Sequence, residues 1–327
     1  MSSTQIPLDP ATVEALCRDL DLAEVGAAFE GGTFAVVHAA TARDGRAAVL
    51  KVGPPADVPL LTYESDLIAA EFDFYARTAT VLPVPEALAQ TVADGRPAFA
   101  MTLVPGESLV SIELPDAERA QVRRQLGRLV GRMRAVTGTT FGYQRSHNLL
   151  RADTWRDAFG LMWRALLADA AIWNVDLPAA EILGLCERAA PLLDAVQTPV
   201  LVHFDLWDGN VLITRDASGP RIEGLIDGER AFWGDPLAEL VSTSLFADPA
   251  ADLPFLEGYA ETAAEPLSFT PDVCARLALY QAYLSAIMLV EAVPRGRSDD
   301  RDGEQFLRTA LLAQLATADT SLSTLGL

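Results

Sequence analysis

Val200-Leu201-Val202-His203-Phe204-Asp205-Leu206-Trp207-Asp208-Gly209-Asn210, continuing into Val211-Leu212-Ile213, is the stretch from which the rest of the chain is read. Two apolar runs flank a polar loop, the pattern of strand, loop, strand. A little further on come Gly224-Leu225-Ile226-Asp227-Gly228-Glu229 and then Gly234-Asp235-Pro236. His-x-Asp-x-x-x-x-Asn between apolar strands is a restrictive pattern. Asp205 can accept a proton from an attacking hydroxyl. Asn210, five residues on, can face the same cavity and offer its side-chain oxygen to a metal. Asp227, at the end of the next strand, brings a further oxygen. Hard cations such as Mg²⁺ take a few carboxylates and complete the shell with phosphate oxygens, which suits this set.

Working outward towards the N-terminus, residues 11–20 read as a short amphipathic helix. Three β-rich runs then follow between Ala23 and Val52, separated by a turn at Gly31-Gly32 and another at Asp44-Gly45. Tyr63 to Thr80 has helical spacing, with Leu67, Ile68, Phe72 and Tyr75 on one face. Pro83 and Pro85 end it. Two more strand-like runs, Glu86–Val92 and Pro97–Val104, turn at Asp94-Gly95. The expectation is a five-stranded antiparallel sheet with one main helix over residues 1–104.

Pro105-Gly106 marks a boundary, and residues 105–327 read as mostly helical around the β-rich interlude of Pro199 to Glu229. Asp116–Val136, Trp155–Trp173 and Ala179–Val196 are expected helices, as is most of the chain after residue 237. The fold class is α+β: a small β-rich lobe, a hinge and a larger helical lobe. No apolar stretch long enough to cross a membrane is expected.

These segments resemble the aminoglycoside phosphotransferase and choline kinase superfamily, whose fold is that of protein kinases. Its antibiotic-kinase branch writes the loop as H-x-D-x-x-x-x-N and the second motif as I-D-x-[ED] followed by G-D-P. Both occur here, at His203–Asn210 and at Ile226–Glu229 with Gly234-Asp235-Pro236. The resemblance implies that Asp205 is the base, that Asn210 and Asp227 bind Mg²⁺, and that residues 1–104 hold ATP (or GTP). It places Lys51, in Ala48-Val49-Leu50-Lys51-Val52, on the nucleotide phosphates, with Glu71 as its ion-pair partner and Glu64 as the fallback. It makes Gly31-Gly32-Thr33 the phosphate-covering turn, although a simple hairpin turn explains the glycines nearly as well. It makes Met101 to Val104, with Met101 and Leu103, the hinge that meets the nucleotide base. Asp208 either faces substrate amines or is a solvated carboxylate. His203 and Asp235 read as structural, and Trp207 and Trp233 as lobe packing. His147 has no partner pattern, and Ser298–Asp302 reads as a solvated loop. Asp227 is followed by Gly-Glu, and no activation segment is evident, which points away from protein substrates.

Composition agrees. Basic residues number 25, and Lys51 is the only lysine among them. Where arginine is so favoured, a surviving lysine suggests a need for a compact ammonium. The net charge of −20 disfavours nucleic acid and anionic membrane as partners. Three scattered cysteines and an N-terminus without a leader pattern suggest a cytoplasmic protein. The expected activity is phosphorylation of a small-molecule hydroxyl, with an aminoglycoside-like, cationic acceptor preferred. The alternatives are a metabolite kinase of amino sugar, fructosamine, choline or homoserine type, and a non-catalytic pseudokinase.

Overall fold

The computed structural model describes residues 4–145, 148–263, 265–297 and 299–327. His147 and Ser298 lie outside the described residues. Helix α1 (Pro10–Asp19) begins at Asp9, whose carboxylate accepts from the Ala11 and Thr12 amides, with Pro10 in the first turn. Strands β1 (Leu22–Ala28), β2 (Val36–Ala42) and β3 (Ala47–Val52) follow, then α2 (Leu67–Thr78), β4 (Ala87–Ala93) and β5 (Arg96–Thr102). The five strands form one antiparallel sheet in the order β1-β2-β3-β5-β4. β3 is therefore central, and nearly all of it is buried. Leu16 and Leu20 pack with Leu50, Val52 and Ala98 in a small core beneath α1. The expected helix over residues 63–80 starts later, at Leu67. Asp66 is left-handed (φ 61°), and Tyr63 and Glu64 form a separate single turn before it.

After the sheet come β6 (Glu107–Ser108), α3 (Asp116–Met133), β7 (Phe141–Gly142), β8 (Arg151–Ala152) and α4 (Trp155–Ile172). They are followed by α5 (Ala179–Arg188), α6 (Ala190–Asp194), β9 (Val200–Val202), β10 (Val211–Asp216), β11 (Gly219–Leu225) and β12 (Phe232–Gly234). The chain closes with α7 (Glu239–Thr243), α8 (Leu253–Thr262), α9 (Pro271–Glu291) and α10 (Arg301–Thr324). The single helix expected over 179–196 is two, because Pro191 has no amide to donate and its ring crowds the preceding turn. α3 and α8 lie in near backbone contact. A Cβ on Gly127 would sit 2.0 Å from the Phe255 carbonyl oxygen, and one on Gly258 1.9 Å from that of Arg124.

α9 corrects one expectation. By length and composition it is apolar enough to span a membrane, but 72% of the relevant stretch is buried inside the protein. It is apolar all round because it is the core of the helical part. Trp155, Phe159 and Trp163 crowd against its Tyr280 and Tyr283, Phe232 stacks on Trp155, and Trp155 Nε1 donates to Tyr280 Oη at 2.8 Å. The fold is protein-kinase-like, with the hairpin β10–β11 and its flanking loops facing the sheet.

Candidate active site

Strand β3 carries Lys51 between Val37 of β2 and Phe99 of β5, so its ammonium leaves the sheet towards α2 at a fixed height. Lys51 Nζ donates to Glu71 Oε2 at 2.6 Å, to Glu229 Oε2 at 2.8 Å and to Asp227 Oδ1. Of the two helix candidates, Glu71 is thus the residue that meets Lys51. Glu64 instead pairs with Arg295 at 2.5 Å and accepts from the Leu61 amide at 2.8 Å. One turn beyond Glu71, Tyr75 Oη donates to Glu71 Oε1 at 2.5 Å and accepts from the Asp227 amide at 2.9 Å. One tyrosine therefore ties α2 to the loop after β11.

Oxygens of Glu71, Asp227 and Glu229 lie within 4.8 Å of one another. Burial pushes Lys51 towards neutrality, but the charges of Asp227, Glu229 and Glu71 outweigh it and hold the ammonium well above its usual range. Burial acts against the Asp227 carboxylate as well, and Lys51 more than compensates, so Asp227 stays below the usual carboxylate range. Asp227 itself is left-handed (φ 66°), which turns its side chain back into the cleft. The sequence pattern contains Glu229, yet it does not say that this side chain shares the lysine.

The loop after β9 is held by buried polar groups. His203 is fully buried; its Nε2 lies 2.9 Å from the Ile226 carbonyl, and its Nδ1 accepts from the Asp205 amide at 3.2 Å. A carbonyl can only accept and an amide can only donate, so the ring is neutral with the proton on Nε2. Burial agrees, lowering His203 to about 4. Glu239, at the start of α7, accepts from the His203 amide at 2.6 Å and from Ser242 Oγ at 3.1 Å. Its own carboxyl is pushed up to about 7 by burial. Phe204 between them is left-handed (φ 62°) and packs on Phe232. Loop geometry is thereby fixed from below.

Asp205 points the other way, its side chain 23% exposed, with Arg230 Nη1 at 3.6 Å from Oδ1. Burial raises its carboxyl to about 7, with Arg230 pulling the other way. Asn210 Nδ2 donates to the Asp205 carbonyl at 2.7 Å, which leaves its Oδ1 as the outward acceptor. The Ile226 amide donates to the Asn210 carbonyl at 3.0 Å, joining this loop to the one that carries Asp227. The donor set of one amide oxygen and one carboxylate fits a hard cation.

The remaining expected residues are placed as follows. Gly31 and Gly32 both have positive φ (112° and 65°), as a tight turn between β1 and β2 requires. Thr33 Oγ1 accepts from Arg295 at 2.8 Å, and Thr4 and Gln5 bond the turn's carbonyls from the other side. Met101 is buried in β5. The Leu103 amide already donates to the Ala47 carbonyl at 3.1 Å, so Leu103 offers its half-exposed side chain rather than that donor. Asp208 is paired with Arg119 (3.1 Å) and Arg123 (3.3 Å). Trp207 is less enclosed than lobe packing requires. It lies over Gly209, 36% exposed, on the wall of an open cavity of about 690 Å³. Trp233 is buried, and Asp235 accepts from the Leu237 amide, Arg276 and Tyr280.

A profile of the phosphotransferase enzyme family matches residues 26–279. The chain belongs to this family. No protein of curated function matches it. Among solved structures, it is similar to a putative fructosamine-3-kinase from Thermobifida fusca YX-ER1, with 22% identity and a TM-score of 0.64 over 94% of this chain and 97% of the other. A macrolide 2′-phosphotransferase from Brachybacterium faecium has 22% identity and a TM-score of 0.55 over 92% and 97%. The GDP complex of an aminoglycoside 2′-phosphotransferase has 15% identity and a TM-score of 0.53 over 94% and 97%. At these identities the likeness establishes the fold.

Proposed function

We propose that this phosphotransferase moves the γ-phosphoryl group of ATP (or GTP) to a hydroxyl of a small molecule. The observation that carries the reading is the convergence of Asp205, Asn210 and Asp227 on the cleft floor beneath the paired Lys51 and Glu71. In the reaction the bond from the γ-phosphorus to the bridging oxygen breaks, ADP leaves, and the acceptor oxygen bonds to phosphorus. The proton of that hydroxyl passes to Asp205. A carboxyl raised to about 7 is a stronger base than an ordinary aspartate and is still ionised in good part at neutral pH. Lys51 would hold the nucleotide phosphates and Glu71 would orient it. Asn210 and Asp227 would hold Mg²⁺, which neutralises phosphate charge when bound. Glu229 would share the restraint of Lys51, and Gly31-Gly32-Thr33 would cover the phosphates. Residues 1–104 would form the nucleotide-binding lobe and 105–327 the acceptor lobe, working in the cytoplasm where the nucleotide is abundant.

A cationic, aminoglycoside-like acceptor has the weaker support, because the acidic surplus is spread along the chain and Asp208 is taken by arginines. The presence of base, metal ligands and lysine together favours turnover over a pseudokinase. The test is ADP release, followed by coupled detection, over aminoglycosides, macrolides, amino sugars, fructosamines and choline. ATP binding without Mg²⁺ dependence, in wild type as in Asp227→Ala, would remove the metal assignment and the kinase reading with it.

A further inference from the structure

Tyr75 is a fully buried phenol one turn beyond Glu71 on α2. Its hydroxyl has two partners, Glu71 Oε1 at 2.5 Å and the Asp227 amide nitrogen at 2.9 Å. An amide can only donate and a carboxylate can only accept. The phenol proton therefore goes to Glu71, and a lone pair of Oη takes the Asp227 N–H. The two residues joined in this way belong to different parts of the site. Glu71 restrains Lys51 at 2.6 Å through its other oxygen, while Asp227 carries a carboxylate suited to a hard cation.

The turn that Asp227 begins needs such holding. Asp227 is left-handed (φ 66°, ψ 44°), a conformation that aspartate tolerates better than most residues but that persists only where the surroundings impose it. The preceding backbone groups are pinned by the catalytic-loop side: the Ile226 carbonyl meets His203 Nε2 at 2.9 Å, and the Ile226 amide donates to the Asn210 carbonyl at 3.0 Å. From Asp227 onward the holding comes from α2. Its amide is taken by Tyr75, and a Cβ on Gly228 would sit 2.5 Å from the Phe74 ring. Phe74 and Tyr75, adjacent on one helix, thus fix Gly228 by contact and Asp227 by a hydrogen bond. An apolar side chain at position 75 could pack beside Phe74 and Phe99 as the phenol does, but it would deprive the Asp227 N–H of its acceptor.

We infer that Tyr75 is a positioning residue for the Asp227 carboxylate: its hydroxyl holds the Asp227 turn and makes that turn and the Glu71–Lys51 pair one unit carried by α2. The inference rests on the phosphotransferase reading for the metal, and on the two hydrogen bonds for the role of the phenol. Metal-free and metal-linked nucleotide binding then come apart when the hydroxyl is removed. Lys51 keeps Glu71 Oε2, Asp227 and Glu229 as partners, so its hold on phosphates should survive. Asp227 loses the bond that sets its backbone. The loss should fall on the part of ATP affinity that depends on Mg²⁺.

The test is calorimetric titration of ATP, with excess Mg²⁺ and with EDTA, into wild type, Tyr75→Phe and Tyr280→Phe. Phenylalanine keeps the ring and removes only Oη. Tyr280 is the control, because its buried Oη also has two partners, Trp155 Nε1 and Asp235 Oδ2, both at 2.8 Å, but belongs to the helical core. Tyr75→Phe should cut the gain in ATP affinity brought by Mg²⁺ roughly three- to tenfold, the scale of one net hydrogen bond, and leave affinity in EDTA within about twofold of wild type. Tyr280→Phe should keep the full gain. An undiminished gain in Tyr75→Phe, or an equal fall in Tyr280→Phe, would overturn the inference. Should Tyr75→Phe fail to fold, hydrogen exchange of the wild-type protein decides. Mg²⁺ with ATP should slow exchange in residues 72–78 and 225–230 together, and slowing of one alone or of neither would overturn the inference. A wild-type protein whose ATP affinity ignores Mg²⁺ would instead defeat the phosphotransferase reading, and this inference with it, so the two failures are distinguishable.

Discussion

Two charged clusters meet in the cleft, and they are built on opposite plans. Around Lys51, three carboxylates crowd one ammonium, so the cluster is short of positive charge. From Asp205 through Arg230, Glu291 and Arg295 to Glu64, acids and bases alternate and nearly cancel. The first arrangement leaves room for a divalent cation and fits a nucleotide site. The second is closed on itself. It tunes one carboxylate, positions a guanidinium beside it, and joins the N-terminal segment of Glu64 to the end of α9. In the proposed reaction, metal binding would fall to the unbalanced cluster and proton transfer to the edge of the balanced one.

The largest expected effect breaks the balanced cluster at its functional end. Asp205→Asn should lower turnover by about 10²- to 10⁴-fold, the usual contribution of a positioned base, with nucleotide affinity nearly unchanged. Steady-state rates beside ATP titration would check this, and near wild-type turnover would move the base elsewhere. Next comes the unbalanced cluster. Lys51→Arg keeps the charge, but a planar fork cannot point at three carboxylates and a phosphate as a compact ammonium does. Its kcat/KM for ATP should fall roughly tenfold or more, and parity with wild type would show that charge alone suffices.

A smaller effect sharpens the contrast through pH. Asp205 works as a base only when ionised, so the acidic limb of kcat/KM should lie near 7. Arg230→Met removes the cation that favours the ionised form, so this limb should move to higher pH, by about one unit for a charge at this separation. A profile that stays in place would mean that another group sets the limb. The smallest effect is on stability. Asp205 is raised from 3.8 in the unfolded chain to about 7 in the folded protein, so its ionisation opposes folding increasingly from about pH 4 to 7 and fully above that. Asp205→Asn should therefore raise Tm by about 6 °C at pH 8 and by almost nothing at pH 4, as scanning calorimetry would read. Equal shifts at both pH values would dissociate the stabilisation from this carboxylate.

Much of this was legible along the chain wherever the information is local. The strand–loop–strand around His203 to Asn210, the Ile226–Glu229 segment and the alternation that builds the sheet all follow from neighbouring residues, because loop chemistry and the period of two are short-range. Lys51 stood out by composition alone. Helix ends were read less well: Asp66 and Pro191 set boundaries by backbone conformation rather than by apolar period. α9 shows the converse, a helix whose uniform apolarity has meaning only when its surroundings are known.

What the sequence by itself determined is the order of the parts and the residue types of the family's motifs, since these reside in contiguous stretches. Only the tertiary structure decided which charges meet. Glu71 rather than Glu64 reaches Lys51, Glu229 joins it across 178 positions, Arg230 reaches Glu291 across 61, and Arg295 reaches Glu64 across 231. Ion pairs at such separations leave no periodic trace in a chain, because a buried charge is tolerated wherever the fold supplies its partner, and the fold is a property of the whole sequence at once.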